Sequence, residues 1–204
     1  MPDAGATTIM TQGISLIVGL GNPGVEYAET RHNAGFRFID ALLEGSGVAL
    51  RFERRFDGDI ARVELGQRPV WLLSPTTFMN HSGQAVARFT DYYKIAVPQV
   101  LVVHDELDLS PGTVRLKLGG GDGGHNGVQD ISLHLGSTDF VRLRVGIGRP
   151  APGGDATAYV LKRPPLSERE LIDAAIHRAR EHIVDIVHGQ YQKVMNELHS
   201  HSGT

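Results

Sequence analysis

The sequence predicts an α/β fold, organised as a single three-layer sandwich in which helices cover both faces of one sheet. Three observations support this prediction. Short apolar runs alternate with segments of helical periodicity, several of these runs end at Gly, Asn or Asp, and no linker or repeat divides the 204 residues. We expect a folded domain at 14–199, a flexible N-terminal extension at 1–13 and a tail at 200–204.

Six segments with continuous or alternating apolar residues are predicted to be strands. They lie at 15–20, 59–65, 69–74, 100–103, 113–118 and 141–145. Four segments carry apolar side chains at helical spacing and are predicted to be amphipathic helices. Their inward-facing positions are Phe36, Ile39 and Leu43; Val86, Phe89 and Tyr93; Val128, Ile131 and Leu135; and Leu171, Ala175, Ile176, Ile183 and Val187. Ser167, which follows two prolines, is the predicted N-cap of the last helix.

The composition excludes several kinds of chemistry. The chain contains no cysteine, which rules out disulfides, thiolate zinc sites and cysteine nucleophiles. It has no apolar run long enough for a membrane span, and residues 1–13 do not resemble a signal peptide. We therefore expect a cytoplasmic protein without a membrane partner. The formal net charge of −3 lacks the excess of Lys and Arg usual in nucleic-acid-binding chains, so any RNA contact must come from a local patch.

The glycines at 19, 21 and 24 match the dinucleotide-binding pattern G-x-G-x-x-G directly after a predicted strand. That pattern also requires an acidic residue about twenty positions later, at the end of a second strand. Asp40 is near this distance but lies within a helical pattern, and Pro23 disrupts the tight turn from strand to helix. Nucleotide binding is therefore the minor alternative, and we expect no cofactor.

Polar residues are concentrated where predicted strands end. The clusters are Asn22, Tyr27, His32 and Asn33; Thr77, Met79 and Asn80; and His104, Asp105 and Glu106, followed one strand later by His125 and Asn126. In an α/β sheet, the loops after the carboxyl ends of strands converge on one crevice. Residues from these clusters, although far apart in the chain, can therefore meet in a single site.

His32 is the candidate general base, because histidine has the side-chain pKa nearest neutrality. A carboxylate bonded to the other ring nitrogen would fix the tautomer and stabilise the imidazolium, and Asp105 is the candidate for this role. The chain lacks a G-x-S-x-G nucleophile motif, so the attacking group would be water. The alternative interpretation is that His32 caps a helix and Asp105 only ends a strand.

Asn22, Asn80 and Asn126 are candidates for peptide binding, since an amide side chain can both donate to and accept from a peptide backbone. Asparagine is also a common turn residue, so the interpretation depends on all three lying near the histidine and aspartate. The glycine-rich loop at 119–124 lacks the Lys-Ser/Thr of a P-loop. We expect it to be a flexible cover, or a close approach of the backbone.

The ten histidines raise the question of a metal site. None belongs to an H-E-x-x-H motif or another close ligand pair on a helix, and His177, His182 and His188 are scattered around the last predicted helix. We expect no metal.

Two predicted strands present basic faces. Arg115 and Lys117 alternate with leucines on one strand, and Arg142 and Arg144 alternate with apolar residues on the other. These faces could contact phosphates, or they could be ordinary solvated surfaces; the pattern alone favours neither.

These motifs together resemble the bacterial peptidyl-tRNA hydrolase family over nearly the whole chain, from Leu16 to about Asn196. The matching strings, in family order, are Leu-Gly-Asn-Pro-Gly at 20–24, Thr-Arg-His-Asn-Ala-Gly-Phe at 30–36, Pro-Thr-Thr-Phe-Met-Asn-His-Ser-Gly at 75–83, His-Asp-Glu-Leu-Asp-Leu at 104–109, Gly-Gly-His-Asn-Gly at 123–127 and Arg-Leu-Arg-Val-Gly-Ile-Gly-Arg-Pro at 142–150. The resemblance implies one twisted mixed sheet flanked by helices, in a monomeric enzyme without metal or cofactor that hydrolyses the ester bond between peptide and tRNA.

The resemblance also implies residue roles. His32 would activate water, Asp105 would orient and polarise His32, and Asn22 would position the water or the ester. Residues that would hold the peptide or line its channel are Tyr27, Met79, Asn80 and Asn126. Residues that would face the 5′-phosphate and acceptor stem of the tRNA are Arg115, Lys117 and Arg144.

A rival from a different class is a non-catalytic RNA-binding relative, because chloroplast intron-splicing factors share this fold. Every proposed catalytic position of this chain carries the family's residue, which disfavours that alternative.

Overall fold

The computed structural model describes residues 13–200. Within them, seven strands form a single sheet of order β2-β3-β4-β1-β5-β7-β6. The strands are β1 (Leu16–Gly19), β2 (Arg51–Glu53), β3 (Gly58–Leu65), β4 (Arg68–Pro75), β5 (Val100–Glu106), β6 (Val114–Leu118) and β7 (Val141–Gly146). The pairs β4–β1, β1–β5 and β5–β7 are parallel, whereas β2–β3, β3–β4 and β6–β7 are antiparallel. The predicted α/β sandwich with a mixed sheet is confirmed.

Helices cover both faces of this sheet. They are α1 (Ala34–Leu43), α2 (Ser82–Tyr93), α3 (Asn126–Leu135), α4 (Ala156–Val160), α5 (Leu166–Glu181), α6 (Ile183–Val187) and α7 (Tyr191–Ser200). Successive side chains of a strand point to opposite faces, so β1 contributes Ile17 to one core and Leu16 and Val18 to the other. The first core contains residues of α1, α5, α6 and α7, and the second contains residues of α2 and α3. Each fully buried Leu, Ile or Phe contributes about 1.5–3 kcal/mol to folding.

The contact of α1 with the sheet brings the segment before it close to the ends of the central strands. A Cβ atom on Gly35 would lie 2.2 Å from the backbone nitrogen of Leu20 and 2.3 Å from the carbonyl oxygen of Val103. Only glycine permits this approach, because any side chain would overlap backbone atoms that cannot move aside. The short 3-10 turn Arg31–Asn33 that precedes α1 is thereby fixed above β1 and β5.

Three expectations about the last predicted helix were wrong. Pro165, not Ser167, is the N-cap, and no side chain caps the first turn. Leu171 is 50% exposed. The helix also ends before His182, whose backbone (φ −94°, ψ 1°) leaves the helical region, so Ile183 and Val187 belong to the separate helix α6.

The boundary residues Gly13 and Ser200 belong to the described part: Gly13 is buried, and Ser200 ends α7. The rest of the predicted extension and tail lies outside the described residues. Among residues 13–200, no helix has the length and apolar character needed to cross a bilayer.

Candidate active site

A cleft of about 330 Å³ opens where β1, β4 and β5 end. It is large enough for a small ligand or the end of a larger one. Seven residues predicted from the sequence to act on a substrate line it: Asn22, Tyr27, His32, Met79, Asn80, Asp105 and Asn126. The convergence expected from the three strand ends is therefore present.

The side chains of His32 and Asp105 are hydrogen-bonded within this cleft. His32 Nδ1 lies 2.9 Å from Asp105 Oδ1, and the two side chains are 11% and 2% exposed. An ionised carboxylate can only accept, so Nδ1 carries the hydrogen and His32 Nε2 keeps its lone pair. Burial lowers the pKa of His32, but the charge and the hydrogen bond of Asp105 together raise it above its ordinary value.

His125 donates a second hydrogen bond to the same carboxylate oxygen. Its Nε2 lies 2.9 Å from Asp105 Oδ1. Its Nδ1 accepts from the backbone N–H groups of Gly127 and Val128, at 3.2 and 3.3 Å, and thereby caps α3. These bonds fix the tautomer with hydrogen on Nε2. Burial alone would raise the pKa of Asp105, but the two histidines hold it far below its ordinary value.

Sequence reasoning gave no role to His125, although it quoted the motif that contains it. The available signal was a histidine directly before a helical segment, where an N-cap acceptor is needed. Histidine is an uncommon cap, and the sequence pattern did not reveal that its other nitrogen would reach Asp105.

Asn22 is oriented by a reciprocal pair of hydrogen bonds with Asn33. The Asn22 backbone N–H donates to Asn33 Oδ1, and Asn33 Nδ2 donates to the Asn22 carbonyl, both at 2.9 Å. The backbone N–H of Met79 donates to Asn22 Oδ1 at 2.8 Å. The amide oxygen of Asn22 is therefore engaged, and its Nδ2 is the group available to a ligand. Asn33 was not among the predicted site residues.

The remaining predicted residues form the rim and floor of the cleft. Asn80 and Asn126 are exposed, so both amides are available to a ligand. Tyr27 is half-buried, with its ring edge-on to Phe78 at a centroid distance of 6.4 Å. Met79 is 4% exposed and forms part of the floor.

A further side of the cleft comes from the segment around α4, which the sequence prediction missed. We call it the α4 wall, and it consists of Ala156, Thr157, Val160 and Leu161. Five residues of helix give too short a periodic pattern to be recognised in a sequence.

The basic residues lie on β6 and β7, where Arg115 is paired with Arg144 and Lys117 with Arg142. Arg144 Nε donates to Glu106 Oε2 at 2.9 Å, which links this face to the cleft. Burial, followed by the charges of Arg142 and Arg144, lowers the pKa of Lys117.

Arg142 does not form the solvated basic face that was considered from the sequence. It is 2% exposed and lies beneath the glycine-rich loop. It donates to the carbonyl oxygens of Gly120 and Gly121, at 2.8 and 2.6 Å, and also to that of Gly119. Strand alternation predicted which face Arg142 occupies, but not that a loop covers this face.

Two groups of potential metal ligands occur among residues 13–200: His32, Asp105 and His125; and His182, Asp185 and Glu197. In the first group, both histidine nitrogens that face Asp105 carry hydrogen. A metal ion could therefore bind there only by displacing both of these protons.

Comparison with known proteins identifies the family. A family model described as "Peptidyl-tRNA hydrolase" matches residues 16–204. The chain belongs to the peptidyl-tRNA hydrolase family. A curated peptidyl-tRNA hydrolase from Methylococcus capsulatus is 53% identical over 91% of this chain and 99% of its own length. One from Neisseria gonorrhoeae is 47% identical over 94% of this chain and all of its own length.

Solved structures of this family share the fold. The crystal structure of peptidyl-tRNA hydrolase from Acinetobacter baumannii superposes with a TM-score of 0.87 at 47% identity, covering 91% of this chain and 94% of that one. A peptidyl-tRNA hydrolase complex with N-propanol gives a TM-score of 0.89 at 46% identity, covering 94% and 97%. The resemblance inferred from the motifs is confirmed.

Proposed function

We propose that this chain hydrolyses the ester bond between the peptide and the terminal ribose of peptidyl-tRNA, with water as the nucleophile and His32 as the base. Family membership over nearly the whole chain supports the reaction. The observation that carries the mechanism is the buried hydrogen bond between His32 Nδ1 and Asp105 Oδ1, which leaves His32 Nε2 as a proton acceptor in the cleft.

The reaction proceeds in two steps. Water donates a hydrogen bond to His32 Nε2 and accepts one from Asn22 Nδ2. These two bonds orient the water so that its oxygen faces the ester carbon. His32 takes the proton as the C–O bond forms, and a tetrahedral oxyanion results. When that intermediate collapses, the ribose oxygen leaves and takes the proton from His32 Nε2, giving a free peptide carboxyl group and tRNA. A well-placed general base contributes roughly 10²–10⁴-fold to the rate.

Asp105 stabilises the imidazolium that forms during attack. His125 donates to the same carboxylate oxygen and so holds Asp105 in the orientation that His32 requires. The lone pair of His125 Nδ1 accepts from backbone N–H groups of α3, so it is not available to take a proton from water. His125 is therefore a positioning residue for Asp105.

Peptide recognition is assigned to Asn80 and Asn126, with Tyr27 and Met79 lining the channel. An amide side chain bonds a peptide group by both donating and accepting. The free α-ammonium of aminoacyl-tRNA lacks the peptide carbonyl that would accept a hydrogen bond from these amides, and removing the ammonium from water is costly. The site should therefore favour peptidyl-tRNA over aminoacyl-tRNA.

Contacts with the tRNA phosphates are assigned to Arg115, Lys117 and Arg144. They lie on β6 and β7, and Arg144 is joined to the cleft by Glu106. Phosphate contacts position a nucleic acid without reading its sequence. We propose that residues 14–199 form the folded catalytic domain, and that the enzyme is a cytoplasmic monomer that uses neither metal nor cofactor.

The test is release of N-acyl-amino acid from N-acyl-aminoacyl-tRNA, with free aminoacyl-tRNA as the control substrate and a chelator present. We expect rapid release from the first substrate and little from the second. Binding of tRNA without release would favour the non-catalytic RNA-binding alternative, and loss of activity with chelator would contradict the metal-free mechanism.

A further inference from the structure

We infer that Arg31, the residue before His32, is a positioning residue that fixes the α4 wall and thereby sets affinity for the acyl group. The observation behind this inference is a buried guanidinium that does not line the cleft and is bonded to the end of α4. The role described here rests on the proposed function, because it concerns how that substrate is held.

The Arg31 side chain is 6% exposed, so its charge needs partners within the protein. Its Nη2 donates to Glu168 Oε2 of α5 at 2.8 Å, and its guanidinium carbon lies 4.1 Å from the ring centroid of Tyr159. Its Nη1 lies 3.3 Å from the carbonyl oxygens of both Tyr159 and Lys162. The backbone N–H of Arg31 also donates to the Lys162 carbonyl, at 3.2 Å.

These contacts stabilise the carboxyl end of α4. The last carbonyl groups of any helix lack partners within the helix, and a five-residue helix is unstable on its own. Arg31 adds a donor to the Tyr159 carbonyl of the last turn, which also accepts from the Lys162 N–H at 3.2 Å, and donors to the Lys162 carbonyl just beyond the helix. It also places a cation over the ring of Tyr159. The only other side-chain bond of Tyr159 among the described residues joins its hydroxyl to the Ile147 carbonyl, at 2.8 Å.

The segment that leads from β7 into α4 provides little support of its own. Residues 151–158 are exposed, and Gly148 and Gly153 have φ values of 73° and 81°, which favour glycine. The Asp155 side chain caps the first turn of α4, and Val160 packs in the core. At the carboxyl end of α4, the polar contacts that hold the α4 wall are those of Arg31 and Tyr159. Because Arg31 is bonded to His32 in the chain, the same 3-10 turn fixes the base and the apolar wall that faces it.

Loss of this anchor should act on binding more than on chemistry. The contacts that His32 and Asp105 make with each other do not involve Arg31. Apolar groups of the α4 wall, such as Val160 and Leu161, would contact the side chain of the esterified amino acid. A substrate with a large aliphatic side chain should therefore depend on the wall, and a glycyl substrate should not.

The experiment compares Arg31→Met and Arg31→Lys with Arg37→Met. Arg37 is ion-paired with Asp173 of α5, as Arg31 is with Glu168, but its hydrogen-bonding partner is on α5 and not on α4, so it is a matched control. For N-acetyl-leucyl-tRNA, Arg31→Met should raise KM about tenfold with little change in kcat. For N-acetyl-glycyl-tRNA, KM should change little. Arg31→Lys should restore part of the affinity, and Arg37→Met should match the wild type.

Hydrogen exchange of the intact protein provides a second readout that needs no activity. The amides of residues 159–162 should exchange faster in Arg31→Met than in the wild type or Arg37→Met. Equal KM increases for the two substrates, a fall in kcat alone, or unchanged exchange at these amides would overturn the inference. If the wild type released no acyl-amino acid, the proposed function would fail, and hydrogen exchange would still decide whether Arg31 anchors α4.

Discussion

The chemistry of the cleft depends on which nitrogen of each histidine carries a proton. His32 and His125 are oriented oppositely: His32 presents Nδ1 to Asp105, whereas His125 presents Nε2. Only His32 is left with a lone pair that can accept a proton in the cleft, because the lone pair of His125 accepts from the first turn of α3. The division of roles between the two histidines follows from their backbone surroundings.

The raised pKa of His32 predicts the pH dependence of the reaction. A base works only when unprotonated, and Asp105 favours the protonated form. Activity should therefore fall as the pH drops through a pKa above the ordinary histidine value. Asp105→Asn should move this acidic limb to lower pH and reduce kcat/KM by roughly 10²–10⁴-fold. The measurement is the pH profile of kcat/KM.

Asp108→Asn is the matched control for this profile. Asp108 is an exposed carboxylate three residues away, paired with Arg149, and makes no bond to either histidine. An unshifted limb in Asp105→Asn, or an equal shift in Asp108→Asn, would contradict the assigned base.

Among individual residues, the sequence was sufficient to identify those with distinctive chemistry. His32, Asp105 and the three asparagines were expected to converge, and all five line the cleft. His125 and Asn33 were placed in the polar clusters but given no role, because their contribution depends on the exact direction of a ring or amide. A motif indicates that a histidine is near the site, but only the fold shows which of its nitrogens faces Asp105.

At the level of elements, the glycine-rich loop connects the basic strands to the cleft. Four of its glycines, Gly119, Gly120, Gly123 and Gly124, have φ values between 57° and 87°, so a side chain at these positions would be strained. The loop ends at His125, the cap of α3. Arg142 holds the opposite end through three backbone carbonyls, so the loop is a supported structure where the sequence predicted a flexible cover or a close backbone approach.

Replacement of Arg142 tests this support. Arg142→Met removes the donors from the carbonyl groups of exposed Gly120 and Gly121 and of buried Gly119. Loss of the bond to the buried carbonyl should lower the free energy of unfolding by about 1–3 kcal/mol. It should also reduce kcat/KM, because His125 and Asn126 follow the loop directly. The measurements are urea unfolding and steady-state kinetics.

Arg149→Met is the control, since Arg149 is 64% exposed in its side chain and, among residues 13–200, is ion-paired only with exposed Asp108. Wild-type stability and activity in Arg142→Met would show that the loop does not need this anchor.

Helices and strands were predictable where their hydrophobic pattern was long. The pattern identified α1, α2 and α3 with their buried faces, and six of the seven strands. It missed β2 and α4, which have three and five residues. It also missed the ten-residue helix α7, although its buried residues Tyr191, Val194 and Leu198 lie at helical spacing. The pattern also joined α5 to α6. The apolar spacing continues across His182, although the backbone at His182 is not helical.

At the scale of the whole molecule, the charge is unevenly distributed. The formal net charge is −3, yet Arg115, Lys117, Arg142 and Arg144 oppose one another across two neighbouring strands. Composition therefore gave no indication of RNA binding. Strand alternation revealed the basic faces but did not distinguish a phosphate-binding surface from an ordinary solvated one. The strand order was equally inaccessible from the sequence, because pairing such as β1 with β4 and β5 depends on contacts between distant segments.

The basic face predicts how salt affects tRNA binding. Each phosphate contact releases counterions, so loss of one contact lowers the slope of log Kd against log salt by about one. Lys117→Gln should show this reduced slope, and Lys193→Gln should not, since Lys193 lies on α7 and pairs with Asp185. Identical slopes for the two variants would show that Lys117 does not contact a phosphate. The measurement is a salt titration with deacylated tRNA.

The role of His32 as the base is tested most directly by measuring binding and turnover separately in His32→Ala. Affinity for N-acyl-aminoacyl-tRNA is measured by filter binding, and hydrolysis of the bound substrate is followed in a single turnover. Because the imidazole acts on water and not on the tRNA, we expect near-normal affinity and almost no release of the acyl-amino acid. Weakened affinity combined with a normal rate of release from the bound complex would contradict the account.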